Sequence, residues 1–148
     1  MLRPNTEGFF IDGKNVVAAI NQKGILWFPG GGIDDGESAE QAMRREAMEE
    51  MGATVTNLKE MGRLEIIWGS EWASEERKKR KAAFIGDDMH FFTGKLVKLE
   101  KPTGEGAFTG KRLMLIKDAI AHIEKQKPFA KEIEEYRKIQ IWILKSLE

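Results

Sequence analysis

The chain predicts an α/β fold in which helices sandwich a mixed β-sheet, and three observations carry that expectation. Strand-like and helical runs alternate irregularly rather than in a repeating βαβ order. One central stretch, "SAEQAMRREAMEEM", is strongly helical and is bracketed by apolar strand-like runs. The last third holds two further helical runs, "KDAIAHIEKQ" and "PFAKEIEEYRKIQIWILKSL", separated near Lys127-Pro128.

Taken in order, "GFFIDGKNVVAAIN" reads as two short strands around the turn Asp12-Gly13. "GILWFPGGG" reads as an apolar strand stopped by Pro29 and three glycines. Ser38 is placed to cap the central helix, with Gln41 at capping-box spacing and Gly52 closing its C-terminus. "ATVTNLKEMGRLEIIW" follows as a strand, then a polar loop, then the strand "MHFFTGKLVKL". "RLMLI" is either one more short strand or the lead-in to a helix.

With 148 residues, 41% of them hydrophobic, the chain suits one domain with a real core. Basic and acidic residues balance at 24 each, so no overall charge argues for nucleic acid or membrane, and any charge argument is local. The absence of cysteine excludes disulfides, thiolate metal sites and cysteine nucleophiles. "MLRPNTEGFF" lacks the apolar core of a signal peptide, and no run is long enough to span a bilayer; a soluble, cytoplasmic protein is the expectation.

The chemistry is concentrated in "FPGGGIDDGESAEQAMRREAMEEMGATV". On a helix, Glu46, Glu49 and Glu50 share one face, and three bare carboxylates there repel one another. A hard divalent cation such as Mg²⁺ or Mn²⁺ relieves that repulsion. Arg45 is spaced to pair with Glu49 or to reach back to Glu37, and so to orient a carboxylate. The glycines lower the steric barrier to a ligand approaching the backbone. A glutamate-rich helix alone is usually a solvated face, but the wider spacing is specific. Gly31, Glu37, Arg45, Glu46, Glu49, Glu50 and Gly52 fix seven positions by identity over 23 residues.

That spacing resembles the box of the Nudix hydrolase family, G-x5-E-x7-R-E-U-x-E-E-x-G-U, with U a bulky aliphatic residue. Ala47 and Ala53 depart from the pattern at U positions, a matter of packing rather than chemistry. The resemblance implies an α/β/α sandwich that hydrolyses a nucleoside diphosphate linked to another group. It implies Glu46, Glu49 and Glu50 as ligands of Mg²⁺ (or Mn²⁺), with the carbonyl of Gly30 as an additional ligand. Glu37 and Arg45 would brace loop and helix. The general base has no uniform place in the family; Glu46 is the first choice. Glu105, between glycines in "KPTGEGAFTG", is either a further catalytic carboxylate or a surface turn residue.

Elsewhere, "GEGAFTGKR" imitates a phosphate loop but has Glu105 and Arg112 where glycine and Ser/Thr are required. The run "ERKKRK" is either a solvated loop or a grip on substrate phosphates or an RNA 5′ end, through residues such as Arg77 and Lys79. Trp72 is the candidate to stack on a base, whereas Trp27 and Trp68 read as core. Ile141 and Trp142 read as core or homodimer contacts, and His90 and His122 as ordinary. The expected substrate is a nucleoside triphosphate, cleaved to a monophosphate and pyrophosphate. Nucleotide sugars such as ADP-ribose, dinucleoside polyphosphates and RNA 5′ ends are the alternatives, and a non-cleaving nucleotide-binding module is the rival class.

Overall fold

The computed structural model describes residues 1–68, 84–104 and 110–148. The elements run β1 (Leu2–Asp12), β2 (Asn15–Val17), β3 (Ala19–Ile20), β4 (Leu26–Trp27), β5 (Gly30–Gly32), α1 (Ala39–Met51), β6 (Ala53–Ile67), β7 (Gly86–Leu99), β8 (Leu113–Leu115), α2 (Ile116–Glu124) and α3 (Glu134–Leu147), with a 3₁₀ turn at Lys131–Ile133.

The main sheet has the order β6-β7-β1-β2-β8, and β5 joins it along β1. β1 runs parallel to β7 and antiparallel to β2 and β5, so the sheet is mixed. Strand residues alternate between faces, and three adjacent pairs show which layer each face meets. Phe9, Val16 and Phe91 pack with Ile120 and Ile123 of α2 and Ile143 and Leu144 of α3. Their neighbours Phe10, Val17 and Phe92 pack on the other side with Met43, Ala47 and Met51 of α1. Both faces are therefore covered, and the layers are α/β/α.

α1 begins and ends as its sequence requires. The Ser38 hydroxyl accepts from the Gln41 N–H and the Gln41 side chain accepts from the Ser38 N–H, while Gly52 closes the helix at φ 65°. "RLMLI" proves to be both of its alternatives: Leu113–Leu115 is a strand, and α2 starts at Ile116.

Three expectations are corrected. The glycines after Pro29 do not merely stop a strand; Gly30, Gly31 and Gly32 form β5, paired with Glu7, Thr6 and Asn5 of β1. A Cβ on Gly30 would lie 2.0 Å from the Thr6 carbonyl oxygen, so only glycine lets these backbones approach. For the same reason β1 starts at Leu2 rather than near Gly8. Its polar first half has no hydrophobic alternation, yet it is held on one edge by β7 and on the other by β5. The hairpin turn also shifts by one residue: Asp12 pairs with Asn15 around Gly13-Lys14.

Candidate active site

Because β5 is held against β1 and only six residues separate Gly32 from the start of α1 at Ala39, the glycine backbone and the carboxylate face of α1 meet. Arg45 ties them together. Its Nε and Nη2 donate to the two Glu37 oxygens, both at 2.9 Å, and Nη2 also donates to the Gly32 carbonyl at 2.9 Å. Its Nη1 donates to Glu46 Oε1 at 2.9 Å and to Glu49 Oε2 at 3.2 Å. The fork geometry of a guanidinium suits such a multiple bridge, and a lysine would not replace it. Glu37 in turn accepts from the Asp34 N–H at 3.0 Å, which fixes the loop before the helix.

Glu50 takes a different partner: its Oε1 accepts from the Gly30 N–H at 2.7 Å. The carboxylate of Glu46 lies where a Cβ on Gly31 would be, 2.3 Å from that position, so Gly31 makes room for it. Thr6 Oγ1 donates to the Gly31 carbonyl at 2.9 Å and steadies β5 from the far side.

The surroundings set the charges. Arg45, with help from the Asp34 N–H, pulls the Glu37 carboxyl down to about 2. Burial pushes Glu50 up to about 8 against the Gly30 N–H, and the charges of Glu46, Glu49 and Glu7 add to it. Glu46 is raised as well, because burial outweighs its pairing with Arg45. Arg45 itself is held firmly protonated by Glu37.

Glu46 and Glu50 line one polar cleft of about 400 Å³ with Gly30–Gly32, Arg3, Thr6 and Glu7. The sequence-predicted residues Gly30, Glu37, Arg45, Glu46, Glu49 and Glu50 are thus brought together, although Glu49 turns to Arg45 and does not line the cleft. Among the described residues no three acidic or histidine side chains converge closely enough to hold a metal ion. The donors nevertheless fit a hard divalent cation. They are carboxylate and backbone oxygens, and Glu46 and Glu50 line one cleft close enough for the charge of one to disfavour the charge of the other.

Glu105, Trp72, Arg77 and Lys79 lie outside the described residues. The chain approaching Glu105 packs on α1: the Gly104 N–H donates to the Glu49 carbonyl at 2.8 Å. Arg112, the residue that spoiled the apparent phosphate loop, donates to the Met51 and Glu100 carbonyls at 2.6 Å and so caps the end of α1. Trp68 is buried and donates to Asp87 at 2.7 Å; Ile141 is buried, but Trp142 on the same helix is exposed rather than core.

Glu7, which lines the same cleft, lies outside the motif. Glu7 is buried on β1, one oxygen accepting from the Tyr136 hydroxyl and the other from Gln140 Nε2 at 3.2 Å. Burial pushes Glu7 up to about 7, although Tyr136, Gln140 and the Arg137 charge pull the other way. A lone glutamate inside "NTEGFFID" is the one signal that marked it.

The chain belongs to the NUDIX domain family, which it matches over residues 1–136. It is 36% identical over 103 residues to an RNA pyrophosphohydrolase of Pasteurella multocida, covering 57% of this chain and 49% of that one. It is 32% identical over 144 residues to an RNA pyrophosphohydrolase of Nitratiruptor, covering 91% and 84%. A further relative from Mannheimia succiniciproducens, like the Pasteurella protein, is spanned over only about half its length, 49%. Among solved structures, a NUDIX-family hydrolase from Clostridium perfringens superposes with a TM-score of 0.63 at 16% identity, covering 100% of this chain and 99% of that one. A Bacillus subtilis pyrophosphohydrolase gives 0.64 at 20% identity, covering 98% and 82%. At such identities the structural likeness is one of fold. Nudix hydrolases generally need divalent metal ions and act on nucleotide substrates.

Proposed function

We propose that this chain is a Mg²⁺-dependent pyrophosphohydrolase, with Mn²⁺ able to substitute, that cleaves a phosphoanhydride of a nucleoside triphosphate and releases a nucleoside monophosphate. One observation carries the reading: two half-buried carboxylates with raised pKa, Glu46 and Glu50, flank a bare glycine strand in a polar cleft. Glu46 and Glu50, with the backbone of Gly30 and with Glu49, would hold the cation. When bound, it neutralises the phosphate oxygens and acidifies a water. Arg45 and Glu37 keep α1 and β5 in fixed register, so the ligands need little rearrangement when substrate arrives. Glu46 is the first candidate to accept the proton of the attacking water. Glu105 is the second candidate for that base, supported by the packing of Gly104 on Glu49.

A second reading, a triphosphorylated RNA 5′ end as substrate, is favoured by the relatives, which carry the name RNA pyrophosphohydrolase. Both readings are tested by a panel of free nucleoside triphosphates, nucleotide sugars, dinucleoside polyphosphates and a 5′-triphosphorylated oligoribonucleotide, each with Mg²⁺ and with chelator. Mg²⁺-dependent release from the free triphosphates is the expected result. Release from the oligonucleotide alone shifts the assignment to RNA ends, and release from neither overturns both. Arg77 and Lys79 are retained as phosphate contacts and Trp72 as a base contact. Replacing Arg77 and Lys79 together with alanine is expected to raise KM a few-fold and to flatten its salt dependence; an unchanged KM returns them to a solvated loop.

A further inference from the structure

The cleft is lined by Glu46, Glu50 and the glycine backbone, groups suited to a metal-bound phosphate, and also by Phe28, Met89 and Tyr136, which offer contact to a flat ring. Glu7 lines the same cleft and is the buried charged group that the reaction, as described, leaves unused. It shares a strand face with Phe9, two residues on, and therefore looks towards α3 rather than α1. Its two oxygens accept from two neutral donors, Tyr136 on one and Gln140 on the other. An ionised carboxylate has about four acceptor sites, and these two bonds use one on each Glu7 oxygen, so both oxygens keep acceptor capacity. Two adjacent acceptors match two adjacent donors. Among the common nucleobases guanine presents such a pair, N1–H and the 2-amino group, whereas adenine sets its amino donor beside an acceptor nitrogen.

We propose that Glu7 selects the base of the substrate, which is guanine, held edge-on by the Glu7 carboxylate in the part of the cleft that Phe28, Met89 and Tyr136 line. Tyr136 and Gln140 are positioning residues that aim the carboxylate, and Tyr136 also contributes its ring. The assignment rests on the reading of this cleft as a nucleotide site, but its test does not need turnover. Binding of guanosine and adenosine monophosphates to the whole chain is measured calorimetrically with Mg²⁺ present, for the parent and for Glu7→Gln. Glutamine is nearly isosteric with the protonated carboxyl and keeps one acceptor, so the fold is expected to persist. The guanine nucleotide should bind the parent at least about tenfold more tightly, and the glutamine variant should lose most of that margin. Equal affinities in the parent, tighter binding of the adenine nucleotide, no measurable binding of either, or a margin unchanged in Glu7→Gln would each overturn the proposal. A guanine margin without any hydrolysis would sink the hydrolase reading alone, and hydrolysis without a margin would sink this one alone.

Discussion

Glu37 and Glu7 carry the same side chain on two sides of one functional region, and the fold treats them in opposite ways. Glu37 meets a full positive charge, the Arg45 guanidinium, in a two-pronged bridge, and its carboxyl is pulled down to about 2. Glu7 meets only neutral donors in a buried setting, and its carboxyl is pushed up to about 7. A charge-assisted bridge offsets desolvation, whereas a phenol and an amide do so only in part. The first arrangement is a brace that holds α1 to its preceding loop. The second keeps acceptor capacity for a ligand, at a cost in stability. Glu46 and Glu50 lie between these extremes: Arg45 touches Glu46, yet burial still raises both.

The largest effect expected on the α1 side follows from Glu46→Gln or Glu49→Gln. Either removes a charge from the helix face, and turnover should fall about a hundredfold or more while the melting temperature without metal stays level or rises. Near-parental kcat in both would remove these residues from the site.

Gly30 and Gly31 sharpen the contrast between bracing and function. A Cβ at Gly30 meets the Thr6 carbonyl at 2.0 Å, backbone against backbone, whereas one at Gly31 meets the end of the Glu46 side chain at 2.3 Å. Gly30→Ala should therefore cost about 3 kcal/mol of stability, because the strand pairing must open. Gly31→Ala should leave stability nearly intact and lower turnover about tenfold, because Glu46 is the group that moves aside. Denaturant melts and kcat for both variants check this, and equal losses in both quantities would contradict it.

The effects of pH on stability have opposite signs on the two sides. The folded Glu37 pKa lies below its reference value of 4.5, so its contribution is complete above that pH and is lost as pH falls towards about 2. The folded Glu7 pKa lies above 4.5, so the folded state binds the extra proton. Stability then declines as pH rises from about 4.5 to about 7, with Glu50 adding to the decline up to about 8. Denaturation measured across these windows should show Glu37→Gln flattening the acid limb and Glu7→Gln flattening the limb above 4.5. A parent whose metal-free stability rises steadily from pH 5 to 8 would contradict the assignment for Glu7.

The same contrast explains what the sequence made legible. Everything on the α1 side is local: Ser38, Gln41, Glu37, Arg45, the three glutamates and Gly52 lie within one helix and its flanks, and helical periodicity places them. Glu7, Tyr136 and Gln140 are separated by up to 133 residues and meet only because α3 packs against β1. No local pattern encodes such a meeting. β5 was hidden for a related reason, since three glycines read as a breaker until a partner strand that tolerates no side chain is known.

Glu46 and Glu50 are the pair proposed to hold a divalent cation beside the glycine strand. The most direct test is a Mg²⁺ titration of pyrophosphate release from a nucleoside triphosphate by the parent and by Glu50→Gln. Parental activity should depend on Mg²⁺ and vanish with chelator, and the variant should need more Mg²⁺ and reach a plateau about a hundredfold or more lower. A Glu50→Gln variant that matches the parent at limiting Mg²⁺ would contradict the account.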